Sequence, residues 1–184
     1  MDIFDAICQR RSTRSYREET PSRTKLEKLI GAAQQAPCAF NRQAWRFTVL
    51  TNKALLNEIS VEAKLFMTRN RPIDLPEALY GKLADPDFHI FYHAPALILI
   101  SAESTGPWLE TDCALAGQNL MLAAAAEGLG ACWIGLCQPF LETAEGRARI
   151  GLSPGERAFA PIIVGYPKEP AAPAVRAPLR TTWL

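Results

Sequence analysis

DCALAGQNLMLAAAAEGLGACWIG, residues 112–135, is the stretch that decides the fold. With the residues just before it, it reads as a helix over 109–127 that is apolar almost all round. Only Asp112, Gln118 and Asn119 interrupt its middle. Such a helix belongs in a core or at a subunit interface. Gly128 and Gly130 end it, and CWIGL at 132–136 is the next strand or turn.

Upstream, Pro95 opens ALILISA at 96–102, a continuous apolar run suited to a strand buried on both faces. Downstream, a short helix is expected over 140–150 and a strand over 158–165. A Pro-rich extended tail follows from 167, and its Val175, Leu179, Trp183 and Leu184 call for burial. Toward the N-terminus, Ile3, Ala6 and Ile7 form the stripe of a first helix ending near 9–11. Thr24 and Glu27 have the spacing of a capping box. Leu26, Leu29, Ile30 and Ala33 then predict a helix over 25–35, which Pro37 stops. A loop over 38–44 leads to a strand at 47–51 and a helix at 53–66 with Leu55, Leu56 and Ile59 inward. Residues 68–90 carry Pro72, Pro76, Gly81 and Pro86 with weak periodicity, and read as a flap or short helices over a site. Helices and strands interleave without internal repeat, so a single layered domain over 1–184 is expected, of α/β or α+β class.

The composition is that of a globular chain: 184 residues, 48% hydrophobic, 21% charged, formal net charge +1. That balance argues against a nucleic-acid surface, which needs a clear basic excess, while leaving room for a local phosphate pocket. No apolar run is long enough to span a bilayer, and MDIFDAICQRRS does not read as a secretory signal, so a cytoplasmic protein is expected with no membrane partner. The five cysteines are odd in number and form no Cys-x-x-Cys pair, which points to reduced thiols rather than disulfides or zinc. His89 and His93 stand four apart, but no third ligand is near. They read as packing histidines or a contact near a substrate pocket, and no metal is expected.

Three segments carry chemistry. Arg10-Arg11-Ser12-Thr13-Arg14 is a compact anion-binding cluster, since guanidinium forks suit phosphate oxygens; a solvated basic turn is the plainer reading. Pro37-Cys38-Ala39-Phe40-Asn41-Arg42-Gln43-Ala44-Trp45 presents amide side chains whose donors and acceptors suit the mixed edge of a heterocycle, or else is a loop anchored by a buried Trp. Gly128-Leu129-Gly130-Ala131-Cys132-Trp133-Ile134-Gly135 permits close backbone approach to a flat ligand, or else is a helix stop running into a core strand.

In order and spacing these segments resemble the nitroreductase family of FMN flavoproteins, from Ile3 to about Arg176. The family's Arg-x-Ser-x-Arg/Lys segment is Arg10, Ser12 and Arg14, and its Pro-Ser-Ser-x-Asn-x-Gln-Pro-Trp loop is PCAFNRQAW. FYHAPALILI, DCALAGQNLMLAAAAEGLG, GACWIG, and VGYPKEP with Arg176 complete six matching segments.

The resemblance implies an α+β three-layer fold: a central mixed, mainly antiparallel sheet flanked by helices, with the tail over 167–184 extending onto a partner subunit. It implies a homodimer with FMN at the subunit interface. One subunit would supply Arg10, Arg11, Ser12, Arg14 and Arg176, with Arg10 and Arg176 on the phosphate and Arg14 at the flavin N1/O2 edge. There a cation stabilises the charge that reduction adds. Trp133, Ile134, Gly135 and Leu136 would lie along one ring face, with a Gly135 or Leu136 N–H reaching N5. The second subunit would supply Pro37, Cys38, Ala39, Asn41 and Gln43. NADH or NADPH would give hydride to N5, and a nitroaromatic, quinone or free flavin would then take the electrons in ping-pong order, its proton coming from solvent. Phe40, Phe66 and Arg71, with Trp108, are the substrate-side candidates. Cys38 and Ala39 stand where the family has serines, Ala44 where it has proline, and Ala174 where a second tail cation is usual. A dehydrogenase, dehalogenase or flavin-degrading oxygenase on the same scaffold, an FMN store or sensor, and a protein that has lost FMN are the alternatives.

Overall fold

A computed structural model describes residues 1–103, 105–170, 172 and 174–184. Eleven helices and strands are defined among them. α1 (Ile3–Gln9) and α2 (Arg23–Gln34) precede β1 (Trp45–Leu50), α3 (Lys53–Asn70) and α4 (Glu77–Ala84). β2 (Ala96–Glu103), α5 (Leu109–Ala126) and β3 (Gly130–Trp133) come next, then α6 (Gln138–Leu141), α7 (Ala144–Ile150) and β4 (Glu156–Gly165). Short 3₁₀ turns occupy Ala39–Asn41 and Gly135–Cys137.

The four strands form one sheet in the order β1-β2-β4-β3, every neighbour antiparallel. The expected mixture of directions reduces to one parallel bridge, Ser12 to Ala131. β2 is buried along almost its whole length because both faces are covered. Side chains alternate across a strand, so Ile98, Ile100, Ile162 and Val164 meet α2 and α5 on one face. Leu97, Leu99 and Ile163 meet α3, α4, α6 and α7 on the other. This is the three-layer α+β arrangement.

The boundaries carry local chemistry. Ser22, not Thr24, caps α2: its hydroxyl accepts the Lys25 N–H at 3.3 Å, which puts Thr24 inside the first turn. Asn52 caps α3 the same way, and α3 runs four residues past the expected end to a left-handed Arg71. The 68–90 stretch holds α4, whose Tyr80 and Leu83 point into the core. The single helix expected over 140–150 is two, because Thr143 stops α6 and caps α7 by accepting the Gly146 N–H. The α1 stripe is not buried within the chain: Ala6 is, but Ile3 is 58% and Phe4 76% exposed. The described residues of the tail beyond 170 form no helix or strand, and Val175, Leu179, Trp183 and Leu184 are exposed.

Candidate active site

Residues 12–17 run as an extended strip stitched to β3 and the end of β4. Thr13 N–H donates to the Ala131 carbonyl at 3.1 Å, Arg17 N–H to Tyr166 at 2.8 Å, and the buried Tyr16 hydroxyl to the Thr13 carbonyl at 2.7 Å. Alternation along the strip turns Thr13 inward against Gly130 and leaves Ser12 and Arg14 exposed. Both act on the buried Cys132 thiol of β3. Burial pushes that thiol up, while Arg14, a Ser12 hydrogen bond and Arg10 pull it down. The Ser12–Ala131 bridge thus sets the strip that carries the three family-motif residues along the edge of β3, beside Cys132. Sequence reading gave no signal for that neighbour, because Cys132 is brought there by strand pairing.

Arg11 does not join them. It turns back to cap α1, donating to the carbonyls of Cys8 at 2.5 Å and Arg10 at 2.8 Å. Its buried Nε has no acceptor among the described residues. A cavity of about 220 Å³ lies beside Arg10 and Arg11, against Met121, Ala125 and Gly128 at the far end of α5.

β3 ends where Gly135 and Leu136 open a 3₁₀ turn, and the first N–H groups of a helical turn have no partner within it. A Cβ on Gly135 would meet nothing within 4 Å, so a flat group can approach the backbone there. Ile134 is buried, its N–H taken by the Pro161 carbonyl at 2.8 Å. The partly buried Trp133 ring packs on α5 at Gly117.

The loop after α2 bears strain. Phe40, Asn41 and Gln43 all have left-handed backbones, at φ 55°, 52° and 48°. Such conformations cluster at functional sites. Phe40 is 89% exposed at its tip. Gln43 folds inward: its N–H donates to Cys38 Sγ at 3.3 Å and its Nε2 to Asn41 Oδ1 at 3.0 Å. The loop is tied by Ala39 N–H to Asp112 at the start of α5. Asp112 and Ala125 are roughly 20 Å apart along the helix. Within one chain the loop and the Arg10 cavity thus sit at opposite ends of α5.

Phe66 is partly buried and faces Phe140, their centroids 6.2 Å apart. Arg71 is clamped by Glu77 through two hydrogen bonds of 2.9 and 2.7 Å and lies over Tyr80. Arg176 lies in the exposed tail, and Trp108, also exposed, precedes α5. Pro37 closes α2's exit and is exposed. No group of three metal-ligating side chains occurs among the described residues, and no described helix is long and apolar enough to cross a membrane.

The two histidines form a packing unit. His89 Nδ1 accepts the Phe91 N–H at 3.1 Å and the His93 N–H at 3.4 Å, and its Nε2 contacts Asn57 Oδ1 at 3.0 Å. These bonds fix the neutral tautomer with the proton on Nε2. They also hold the left-handed Tyr92 and His93, and so place the Tyr92 ring 5.9 Å from the Arg14 guanidinium. Burial, then His93 and Lys64, lower the His89 pKa from 6.5 to about 4. The sign follows: the unfolded chain takes up the proton first, so this stability is complete above pH 6.5 and is lost as pH falls toward 4. With the ring partly exposed, a loss of about 1–2 kcal/mol is expected across that window. Melting curves at pH 7 and 4.5 should show it, and His89→Gln should flatten the difference. An unchanged difference in that variant would assign the acid sensitivity elsewhere.

Comparison with known proteins identifies the family. The sequence profile of the Nitroreductase family matches residues 7–166. A Methanothermobacter thermautotrophicus protein, provisionally named NADH dehydrogenase/NAD(P)H nitroreductase, is 31% identical over 176 residues, covering 92% of this chain and 79% of its own. An iodotyrosine deiodinase from Thermotoga neapolitana is 27% identical over 173 residues, covering 91% and 90%. The crystal structure of a Bacteroides fragilis nitroreductase with bound FMN superimposes with a TM-score of 0.87 at 25% identity, covering 100% of this chain and 98% of that one. With the strip, the glycine turn and the strained loop all inside the matched region, the chain belongs to the nitroreductase family.

Proposed function

We propose that this protein is an FMN-dependent oxidoreductase that draws electrons from NADH or NADPH and delivers them to flat acceptors such as nitroaromatics and quinones. The observation that carries the reading is the pairing of the strip that bears Arg10, Ser12 and Arg14 with β3 at Ala131, the strand that leads into the open backbone of Gly135. That donor set fits the group: cations and a hydroxyl for a phosphate and an anionic ring edge, and a side-chain-free backbone for a ring face. When bound, FMN supplies two-electron transfer between the nicotinamide donor and the acceptor.

The chain's residues bind and orient. Arg10 and the tail's Arg176 hold the phosphate. Arg14 sets a fixed positive charge at the ring edge that gains electrons, backed by the Tyr92 face. The Gly135 and Leu136 N–H groups are free to donate to the ring. Cys38, Ala39 and Asn41 approach from a second copy, with Phe40 extending the face on which an acceptor stacks and Phe66 bordering it. Donor and acceptor take the same cleft in turn, and no side chain is placed as a general acid, so solvent supplies the proton. Arg71, clamped by Glu77, shapes the α3–α4 turn instead.

The same layout supports a homodimer. The loop and the Arg10 cavity lie at opposite ends of α5, and antiparallel pairing of α5 with its copy joins them. The exposed Ile3, Phe4, Ile7 and Leu115 supply apolar surface for that contact, and an isologous interface builds two equal sites. The tail packs on the partner.

The test is an absorbance spectrum of the purified protein, before and after anaerobic NADH or NADPH, with sedimentation of the same sample. Flavin bands that bleach, on a dimer, are expected. Bands that bleach with dithionite alone would favour a second reading, reductive dehalogenation, for which the deiodinase relative speaks. A flavin-bearing monomer would overturn the shared site, and a protein that takes up no FMN would overturn the whole proposal.

A further inference from the structure

We propose that Asp112 is a positioning residue: its carboxylate holds the 38–43 loop in the shape that the cofactor site of the partner requires. The inference rests on the FMN reading above. Asp112 lies in the first turn of α5 and is 7% exposed, and its Oδ1 accepts the Ala39 N–H at 3.0 Å. Among the described residues this is the hydrogen bond that ties the loop to the helical scaffold. The other bonds of the loop run within it: Asn41 N–H to Cys38 at 3.1 Å, Arg42 N–H to Ala39 at 3.2 Å, and the Gln43 pair.

Those internal bonds do not fix where the loop points, and three left-handed non-glycine residues persist only where the surroundings over-determine them. A charged acceptor makes a shorter, stronger bond than a neutral one. The positive end of the α5 dipole stabilises a buried carboxylate at that site. Asp112 contacts no ligand in this arrangement; it acts through the backbone of Ala39 on Cys38 and Asn41.

The experiment measures FMN affinity, together with the melting midpoint of the flavin-free protein. Asp112→Ala should weaken FMN binding about 10-fold or more while moving the flavin-free midpoint only slightly. Asp112→Asn keeps an oxygen acceptor for the Ala39 N–H and should stay within about 3-fold of the parent. Ala39→Pro removes the donor instead. Ala39 opens its 3₁₀ turn and Cys38 before it is extended, at ψ 154°, the conformation a residue before proline adopts, so a proline at 39 suits the backbone. Ala39→Pro should match Asp112→Ala, and the double variant should be no worse than either, since both delete one bond. It also carries the test should Asp112→Ala fail to fold. Losses that multiply in the double variant, or an Asp112→Ala protein that holds FMN like the parent, would overturn the proposal with the FMN reading intact. A parent protein that takes up no FMN would remove both.

Discussion

Gly130→Ala is expected to weaken FMN binding about tenfold and to cost roughly 2–3 kcal/mol of stability. A Cβ at this position falls 2.5 Å from Thr13 Oγ1 and 2.6 Å from both Thr13 Cβ and Cγ2. Thr13 cannot swing away, because it is buried, its N–H bonds to Ala131, and its carbonyl receives the Tyr16 hydroxyl. The strip itself must lift off β3, and Ser12 and Arg14 lift with it. One added methyl thus displaces the strip that bears Ser12 and Arg14 without touching a binding side chain. Adding Thr13→Gly to Gly130→Ala clears the overlap and should restore part of the affinity, beyond what glycine's own backbone cost removes. Titration of the flavin-free proteins with FMN reads both effects. A Gly130→Ala protein with parental affinity would mean that the strip is not held by this contact.

The largest loss of stability is expected from Gly146→Ala. Its Cβ would lie 2.1 Å from the Phe140 carbonyl oxygen and 2.8 Å from the Leu141 Cα. Both are backbone atoms, so no side chain can rotate to make room. The Phe140 carbonyl is also held by the Thr143 hydroxyl at 2.7 Å, and Phe140, Leu141 and Ile150 are buried. Relief requires α6 and α7 to part and the core on that side of the sheet to open. A cost of about 3 kcal/mol or more is expected, a fall of roughly 6–12 °C in melting midpoint for a chain of this size. Thermal unfolding by circular dichroism checks it. A shift under about 2 °C would show that the two helices reseat freely.

The features legible in the sequence were those set by local pattern. The Ala- and Leu-rich run ending at Gly128 predicts a helix over 109–127, and α5 spans Leu109–Ala126. ALILISA predicts a strand buried on both faces, and β2 is one. The Arg-x-Ser-x-Arg spacing is informative because an extended strip puts alternate residues on one face. Features set by distant contacts were not legible. Nothing local separates Arg11 from Arg10; only the fold ties the Arg11 side chain to the carbonyls that end α1. Asp112 reads as a polar blemish in an apolar helix until the Ala39 N–H, 73 positions away, meets it. Residues 68–90 concealed α4 because Tyr80 and Leu83 are its only buried side chains and Pro76 precedes it without a side-chain cap. The break at Thr143 was concealed because good helix formers, Leu141, Glu142, Ala144 and Glu145, stand on both sides of it.

The sheet order also governs how this chain can reach its native state. None of its strand pairs is a hairpin: Ile98 pairs with Ile162 roughly sixty positions later, and Val49 with Ile98 across two helices. Each ladder therefore begins only after a long segment has been closed, at an entropic cost that no tight turn reduces. Helices such as α5 can form early from their own sequence. The central strand β2, the most apolar in the sheet, can meet the earlier β1 on one edge, but its other edge must wait open until β4 has been synthesised. Refolding belongs in the millisecond-to-second range of nonlocal topologies, and during that interval ALILISA is the segment most exposed to pairing with a second unfinished chain.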